Sequence, residues 1–321
     1  MKRLLIKLAA VLIVIAAAAA VWILIGIARP YKGYDAPEQF VQIAPGAGPR
    51  SIGRRLADAG VVRDQVSFAF ALSRSGQARR LQAGEYRFDR PMTPYEVIDK
   101  IARGDVYVRP VTFREGLTIG QMAAIYEKEG FGKAAEFVHA ARNPSLIRDL
   151  DPAAEDLEGY LFPDTYAMPR ANSAAELVES MVTSFRDALT PEILDRAAAR
   201  GLTVRALVTL ASLVEKETAR PEERPLVAAV YANRLRIGMG LQCDPTVIYA
   251  LERAGRFTGN LTREDLRFDS PYNTYRYAGL PPGPIAAPGR ASLEAAAHPA
   301  DVSYIYFVSR NDGSHAFASS L

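Results

Sequence analysis

Two glutamates near the middle of the chain, Glu215 and Glu217, are acidic side chains placed to do chemistry. Four apolar residues precede them at the spacing of one helix face: Leu207, Leu210, Leu213 and Val214. Glu217 continues that face, whereas Glu215 lies about 200° round the helix from Glu217. We therefore expect that the two carboxyl groups do not face one substrate together and that any catalytic site uses one of them.

A carboxyl group on an apolar helix face has a specific chemical use. Burial penalises the ionised form, so a buried glutamate can keep its proton near neutral pH and donate it as a general acid. Cleavage of a glycosidic bond needs such an acid, and when the N-acetyl group of the sugar assists, no second carboxylate is required. The spacing by itself is also compatible with a glutamate at a partly exposed helix edge, or with a buried glutamate held by hydrogen bonds. Glu217 is therefore a candidate at this point.

Other familiar catalytic patterns are missing from the sequence. It contains no glycine-rich phosphate loop of the usual spacing, no G-x-S-x-G, no H-E-x-x-H and no C-x-x-C. The histidines His139, His298 and His315 are widely separated, so neither a metal nor a cofactor is expected. Cys243 is the single cysteine and cannot form an intramolecular disulfide, which is compatible with a periplasmic location.

The charge balance argues against nucleic acid as a partner. The formal charge is +3, but three of the 39 basic residues, Lys2, Arg3 and Lys7, precede a long uncharged segment. The rest of the chain has equal numbers of basic and acidic residues, since 36 acidic residues occur in total. A basic footprint for nucleic acid is therefore not predicted.

The uncharged segment, residues 8–28, predicts a transmembrane helix. As a helix it would span about 32 Å, which matches a bilayer core. The small residues Ala16 to Ala20 would also suit a cleaved signal peptide, but the apolar run continues past them, which favours an uncleaved anchor. Residues 1–7 are expected to be cytoplasmic because basic residues precede the span, and the body is expected to be exported.

The rest of the chain has an α+β pattern. The pattern predicts a linker broken by proline and glycine at residues 29–39, a small module of short strands and helices at residues 40–110, and a larger domain at residues 111–321. The segment from Val108 echoes that from Val41, which indicates either related half-modules or coincidence. Thr93, Ser173 and Thr190 are expected to be N-cap residues.

Around the glutamates, proline and helical periodicity predict the element ends. The Glu217 helix is expected to begin near Thr203 and end near Ala219, because Pro221 and Pro225 interrupt the next segment. Further helices are expected over the ranges 134–148, 226–237 and 292–297, and the strand SYIYFVS is expected to be buried.

Polar and aromatic segments could line a site. In DLEGYLFPDTYAMPR, Tyr160, Phe162 and Tyr166 fit either a loop packed into the core or the wall of a sugar-binding groove. Asp244 precedes Pro245 at a helix start, where it could cap the helix or serve catalysis.

Long motifs then resemble a known family. EGYLFPDTY, ASLVEKET, ANRLRIGMGLQ, DPTVIYAL, SPYNTYRYAGLPPGPIAAPG and LEAAAHPA followed by YIYFV occur in this order. They closely resemble the endolytic murein transglycosylases of the MltG (YceG-like) family, over roughly Glu158 to Phe317. The resemblance implies an α+β fold with one transmembrane helix, a LysM-like module at 40–110 and a catalytic domain at 111–321 with a lysozyme-like catalytic helix.

The resemblance also implies an activity and a site. It implies a bacterial inner-membrane lyase that cuts nascent peptidoglycan strands between N-acetylmuramic acid and N-acetylglucosamine, leaving 1,6-anhydromuramic ends. Glu217, the second glutamate of the E-x-E pair, would be the catalytic acid and then base. Six further residues belong to the matching motifs and are expected to bind substrate: Glu158, Gln242, Asp244, Tyr272, Asn273 and Tyr275.

The implied partners are peptidoglycan glycan strands, the lipid bilayer through the N-terminal helix, and cell-wall synthases, without nucleic acid, metal or cofactor. The family usually continues with a polar segment and a helix beyond the position of Leu321, so the catalytic domain is expected to be short at its C-terminal end. Two rival interpretations remain: a non-catalytic, membrane-anchored peptidoglycan-binding or cell-division scaffold, and an envelope interaction protein with no glycan contact.

Overall fold

A computed structural model of the chain describes residues 2–170, 173–218 and 220–320. In chain order, its helices and strands are α1 (Lys2–Ala28), β1 (Gln39–Ile43), α2 (Pro49–Asp58), α3 (Gln65–Ser75), β2 (Gly84–Phe88), α4 (Pro94–Ala102), β3 (Arg109–Thr112), α5 (Ile119–Lys128), α6 (Ala134–Ala141), β4 (Thr165–Met168), α7 (Ala174–Ala188), α8 (Pro191–Ala199), α9 (Val204–Glu217), α10 (Arg224–Arg236), α11 (Asp244–Arg253), α12 (Arg290–Ala297), β5 (Tyr306–Ser309) and β6 (His315–Ala318). The fold is therefore mixed α+β, with small sheets.

The described residues fall into two compact units. The first comprises residues 2–109 and 168–170, and the second comprises residues 110–167, 173–218 and 220–320. The change of unit at residue 109 lies next to the predicted end of the small module at residue 110.

The first unit packs α2, α3 and α4 with an antiparallel pair of strands. β1 and β2 pair in register from Gln39↔Phe88 to Ile43↔Gly84. Thr93 caps α4 as predicted, because its side chain accepts from the N–H of Glu96 while the Glu96 carboxylate accepts from the N–H of Thr93. Apolar side chains from these elements, including Leu56, form one buried core.

The N-terminal helix α1 has the length and composition of a membrane span. Among the described residues, it is the one helix that is by itself long and apolar enough to cross a membrane, over Lys7–Ala28. The pair of helices α8 and α9 is long and apolar enough only when the two are taken together, and this pair is bent by 98°. The apolar side chains of α1 are exposed, Ile13 to 68%, up to the point where Gly26 packs against Ser67 of α3. Most of α1 therefore has an uncovered apolar surface.

The second unit is built around α9. α9 begins next to Thr203, as the sequence predicts, and the Thr203 side chain caps the helix by accepting from the N–H of Ala206. Every residue from Leu207 to Val214 is buried, so the helix is covered all round by α8, α10, α11 and α12 rather than on one face. α9 ends at Glu217, and Ala219, near which its end is predicted, lies outside the described residues.

Three helices of the second unit have bounds that differ from the predicted ones. The predicted helix at 134–148 divides into α6 and a 3₁₀ turn, Pro144–Ile147, because Asn143 caps the new turn and proline cannot continue α6. α10 begins at Arg224, so Pro225 lies in its first turn, where proline has no N–H to lose. α12 begins at Arg290 and not at Ser292.

The strand predicted as buried is another correction. β5 pairs antiparallel with β6, and all four of its residues are partly or fully exposed, Val308 to 64%. The strands β4 and β6 lie where no strand is predicted. β4 lies within the aromatic segment and pairs with β3. The hydroxyls of Thr112 and Thr165 form a hydrogen bond of 2.8 Å between the two strands.

Candidate active site

Glu217 is the last residue of α9, and the end of that helix determines where its carboxyl group lies. Thr218 has an extended backbone, with φ −136° and ψ 134°, so the chain leaves the helix directly after Glu217. The carboxyl oxygen Oε2 accepts a weak hydrogen bond from the thiol of Cys243, with 3.6 Å between Oε2 and Sγ. Cys243 is itself fully buried. Glu217 therefore lies at the edge of the core, beside a weak neutral donor.

The environment of Glu217 favours its protonated form. Burial raises the pKa of Glu217, and the nearby charge of Asp244 adds to this. The Tyr231 hydroxyl and the Cys243 thiol act in the opposite direction, because both are donors that favour the carboxylate. The Tyr231 hydroxyl is buried and makes no well-formed hydrogen bond to any described residue. Burial has the larger effect, so the pKa of Glu217 is above its usual value and the site suits a general acid.

A strained residue precedes Cys243 and helps to place it. Gln242 has a φ of 49°, a left-handed conformation that is uncommon for residues other than glycine. Its N–H donates to the carbonyl of Thr274, and the N–H of Cys243 donates to the Thr274 hydroxyl at 3.0 Å. Thr246 closes the turn by donating to the Cys243 carbonyl at 2.6 Å. The side chain of Gln242 is exposed beside this turn.

Asp244 and Tyr275 form a polar pair near Glu217. The Tyr275 hydroxyl donates to Oδ1 of Asp244 at 2.6 Å, and both side chains are exposed. Burial, the hydrogen bond to Asp244 and the charge of Asp244 raise the pKa of Tyr275, so its hydroxyl stays neutral. Asp244 is the first residue of α11 and makes no capping bond, because Cys243 occupies the N-cap position. Of the two roles considered for Asp244, capping is therefore wrong.

Glu215 has different partners from Glu217. Arg224 Nη2 lies 3.1 Å from Glu215 Oε1, and the N–H of Gly289 donates to Oε2 at 3.0 Å. The Glu215 side chain is only 5% exposed and that of Arg224 10%. Glu115 shares the same guanidinium at 3.4 Å. Glu215 is thus held in a buried ion pair, in keeping with the expected separation of the two carboxyl groups round the helix.

The segment on the C-terminal side of Glu217 is tied to the β5–β6 pair. The Thr218 hydroxyl donates to Glu223, and Glu223 binds His315 of β6 through the backbone N–H at 2.9 Å and through Nδ1 at 2.6 Å. Although burial raises the pKa of Glu223, these hydrogen bonds outweigh it and hold the pKa below its usual value. The contacts fix the turn that begins at Thr218.

Two of the predicted binding residues, Glu158 and Tyr272, line a separate cavity of about 220 Å³. The carboxyl group of Glu158 accepts from the N–H of Ile119 at 3.1 Å and from the Tyr249 hydroxyl at 3.3 Å. Burial, reinforced by the charge of Asp156, raises the pKa of Glu158 to about 8. Tyr272 packs against Tyr249 with 5.0 Å between ring centroids.

Asn273 is fully buried, and its hydrogen bonds are made within its own loop. Its amide donates to the carbonyls of Leu266 and Phe268, and its Oδ1 accepts from the N–H of Tyr275. These bonds shape the loop that presents Tyr272 and Tyr275. Asn273 supports the neighbouring side chains rather than offering its own amide at the surface.

The sequence does not single out Tyr231 or the role of Cys243. Tyr231 lies at apolar helical spacing in α10, so the pattern predicts an ordinary core residue. No sequence signal identifies Cys243 either, since its contact with Glu217 joins residues 26 positions apart. Among the described residues, no group of three or more His, Cys, Asp or Glu side chains could hold a metal ion.

Comparisons with known proteins show which proteins this chain is similar to. The model of the YceG-like family matches residues 41–321. An endolytic murein transglycosylase of Bacillus subtilis is 31% identical over 296 residues, covering 88% of this chain and 81% of that protein. An endolytic murein transglycosylase of Streptococcus pneumoniae is 31% identical over 297 residues, and this chain spans 53% of its length.

A solved structure gives the same result for the fold. The crystal structure of a YceG-like protein from Listeria monocytogenes aligns with a TM-score of 0.60 and 29% identity. The alignment covers 89% of this chain and 97% of the Listeria chain, so it includes both units.

Proposed function

Because the chain belongs to the YceG-like family, we propose that it is a membrane-anchored, endolytic peptidoglycan lytic transglycosylase with Glu217 as its catalytic residue. The observation that carries the proposal is the position of Glu217 at the end of a buried helix, beside Cys243 and Tyr231, where burial favours the protonated carboxyl group. Its substrate is the glycan strand, cut between N-acetylmuramic acid and N-acetylglucosamine.

The first step breaks the glycosidic bond. Protonated Glu217 gives its proton to the glycosidic oxygen, and the bond between that oxygen and C1 of the muramic residue breaks. The N-acetyl group of the same sugar stabilises the positive charge that develops at C1. The leaving strand departs with a free hydroxyl group, and Glu217 is left ionised.

The second step closes the anhydro ring and restores the enzyme. Ionised Glu217 takes the proton of the C6 hydroxyl group, whose oxygen then attacks C1 to give the 1,6-anhydro product. No water is consumed, and Glu217 ends the cycle protonated. One carboxyl group with a raised pKa serves both steps, which fits the ion-paired state of its neighbour Glu215.

The surroundings of Glu217 fit a polar polymer as ligand. Asp244 and Tyr275 offer an exposed carboxylate and a neutral hydroxyl beside the catalytic group, and the exposed side chain of Gln242 adds an amide. Such groups can bind the hydroxyl and acetamido groups of sugars. Gln242, Asp244 and Tyr275 are therefore assigned to substrate binding near the cleaved bond.

The N-terminal part supports a location at the membrane. α1 has an exposed apolar surface and the length of one span, so it would anchor the chain in the bacterial inner membrane with residues 1–7 in the cytoplasm. The catalytic unit would then face the periplasm, where nascent strands lie. The small strand–helix unit after α1 would be the LysM-like module.

A product assay tests the function. The detergent-solubilised full chain is incubated with purified, uncrosslinked glycan strands, and the products are analysed by mass spectrometry. Internal fragments with 1,6-anhydromuramic ends are expected from the unaltered protein. The Glu217→Gln variant should lower their rate of formation by a factor of about 10³ or more, with an unchanged circular dichroism spectrum.

Glu222→Gln is the matched control, because Glu222 is an exposed carboxylate in the turn just after the site. It should retain full activity. Binding of strands without products from the unaltered protein would favour the scaffold interpretation. An active Glu217→Gln variant would show that another residue supplies the proton.

A further inference from the structure

The cavity beside Glu158 has no part in the two steps above, yet it is linked to the Glu217 site by one helix. Asp244, the first residue of α11, belongs to the Glu217 site, whereas Tyr249 and Arg253 in the second half of α11 belong to the cavity side. The helix has 10 residues, so its two ends lie about 15 Å apart at about 1.5 Å per residue. A strand of a few sugar residues can bridge that distance.

The walls of the cavity combine rigid apolar surfaces with a few polar groups. Pro271, Pro282, Pro284 and the ring of Tyr272 supply the apolar part. A Cβ at Gly159, next to Glu158, would overlap Pro284, so only glycine allows this close packing. Rigid rings with few rotatable bonds suit the apolar face of a pyranose ring.

The polar groups of the cavity include donors that remain available. Within the described part of the chain, the Arg253 guanidinium makes one hydrogen bond, from Nη1 to the Tyr249 hydroxyl at 3.3 Å, and it lies 5.5 Å from the ring centroid of Tyr272. Glu158 keeps its proton at neutral pH because burial raises its pKa to about 8. A protonated carboxyl group can donate to an uncharged acceptor such as an acetamido carbonyl.

The charges around the cavity disfavour an anionic ligand. Arg205 is already occupied by Asp151 at 2.9 Å and by the carbonyl of Pro282. Asp156 and Glu155 also line the cavity, so a carboxylate or phosphate would meet two further acidic side chains there. The volume of about 220 Å³ lies below the ~300–1,000 Å³ of sites for drug-sized molecules, which fits one sugar unit.

We propose that this cavity is a distal subsite that holds one N-acetylhexosamine residue of the same glycan strand, a few residues from the bond that is cut. The proposal rests on the proposed function, since it takes the strand at Glu217 as given. Because the subsite adds binding only when a strand reaches both ends of α11, it makes the enzyme prefer long strands over short ones.

The test compares two strand lengths with the detergent-solubilised full chain. kcat/KM for formation of anhydro ends is measured on uncrosslinked strands of two and of eight disaccharide units. The unaltered protein is expected to prefer the longer strand by about tenfold. Tyr272→Ala and Arg253→Gln should each remove that preference by lowering kcat/KM on the long strand alone.

Controls keep a folding defect distinct from loss of the subsite. Tyr277→Ala removes an exposed tyrosine of the same loop and should leave the length preference unchanged. Tyr272→Phe keeps the ring that the subsite uses, so it should retain the preference, and Arg253→Gln tests the subsite even if Tyr272→Ala is unstable. Equal losses on both strand lengths, or an unchanged preference in Tyr272→Ala and Arg253→Gln, would overturn the proposal.

Binding separates this proposal from the proposed function. The affinity of the eight-unit strand is measured for protein carrying Glu217→Gln, alone and together with Tyr272→Ala. A loss of about tenfold on adding Tyr272→Ala supports the subsite, even if the unaltered protein forms no anhydro ends and the catalytic assignment fails. No change in affinity would overturn the subsite, whatever the products show.

Discussion

Arg224 Nη2 lies 3.1 Å from Oε1 of Glu215, in an ion pair in which both side chains are at least nine-tenths buried. Two residues along the same helix, Glu217 faces Cys243 and Tyr231 and pairs with no lysine or arginine among the residues described here. One glutamate therefore stabilises the end of α9, and the other keeps a carboxyl group able to exchange a proton. Substitutions at these residues and their neighbours can separate the two roles.

Glu215→Gln should cost stability but not chemistry. Among the described residues, it leaves the buried Arg224 charge with only Glu115 as an ionic partner, so we expect a loss of about 3 kcal/mol. Glu115→Gln should cost less than about 1 kcal/mol, because the Glu115 side chain is 47% exposed. Thermal unfolding measures both losses of stability, and product formation below the unfolding transition measures the chemistry. Loss of activity in folded Glu215→Gln protein would reverse the roles of the two glutamates.

Tyr231→Phe should move the pH dependence of catalysis. The Tyr231 hydroxyl favours ionised Glu217, so its removal raises the pKa of Glu217 further. The acid then keeps its proton to higher pH, and the fall of kcat/KM on the alkaline side should shift upward by a few tenths of a pH unit, under about 1 kcal/mol. Tyr95→Phe, at a partly exposed position in α4, is the control. A downward shift would contradict the assigned effect of Tyr231.

Glu158 should make the protein less stable as the pH rises. Its pKa is raised from 4.5 to about 8 in the folded state, so between these values the folded state holds a proton that the unfolded state has lost. Stability from this group is complete below pH 4.5 and decreases by up to about 5 kcal/mol by pH 8. Glu158→Gln removes this dependence, so its unfolding temperature relative to the unaltered protein should rise from pH 5 to pH 8.

Glu155→Gln serves as the control for that comparison, because Glu155 lines the same cavity but is exposed. Its difference from the unaltered protein should stay constant over the same pH range. A constant difference for Glu158→Gln as well would mean that Glu158 is ionised in the folded protein.

Tyr275→Phe should raise KM with little effect on stability. It removes the hydrogen bond to Asp244 at 2.6 Å, and Tyr275 is 37% exposed, so the free energy of unfolding should change by less than about 1 kcal/mol. Tyr277→Phe is a matched control, because the Tyr277 hydroxyl donates to Asp269 at 2.7 Å in the same loop. Equal KM values in the two variants would remove Tyr275 from the substrate site.

Local signals in the sequence were sufficient for much of the fold. Thr93, Ser173 and Thr190 cap the helices that the sequence expects them to cap, because a capping bond joins residues only three apart. The exposed strand β5 was predicted as buried. The sequence of β5 shows only that its side chains are largely apolar. Its exposure depends on how much of the β5–β6 pair is covered by other elements.

The sequence by itself determined the long apolar helix at the N-terminus, the α+β character, the helix that carries Glu217 and the angle between Glu217 and Glu215. Periodicity and caps act within one element, so they can be found without the fold. Only the tertiary structure decided that Arg224 and Gly289 hold Glu215, that Cys243 and Tyr231 surround Glu217, and that Glu158 lies in a separate cavity. These contacts join residues far apart in the chain, and helical spacing cannot specify which element packs against a given face.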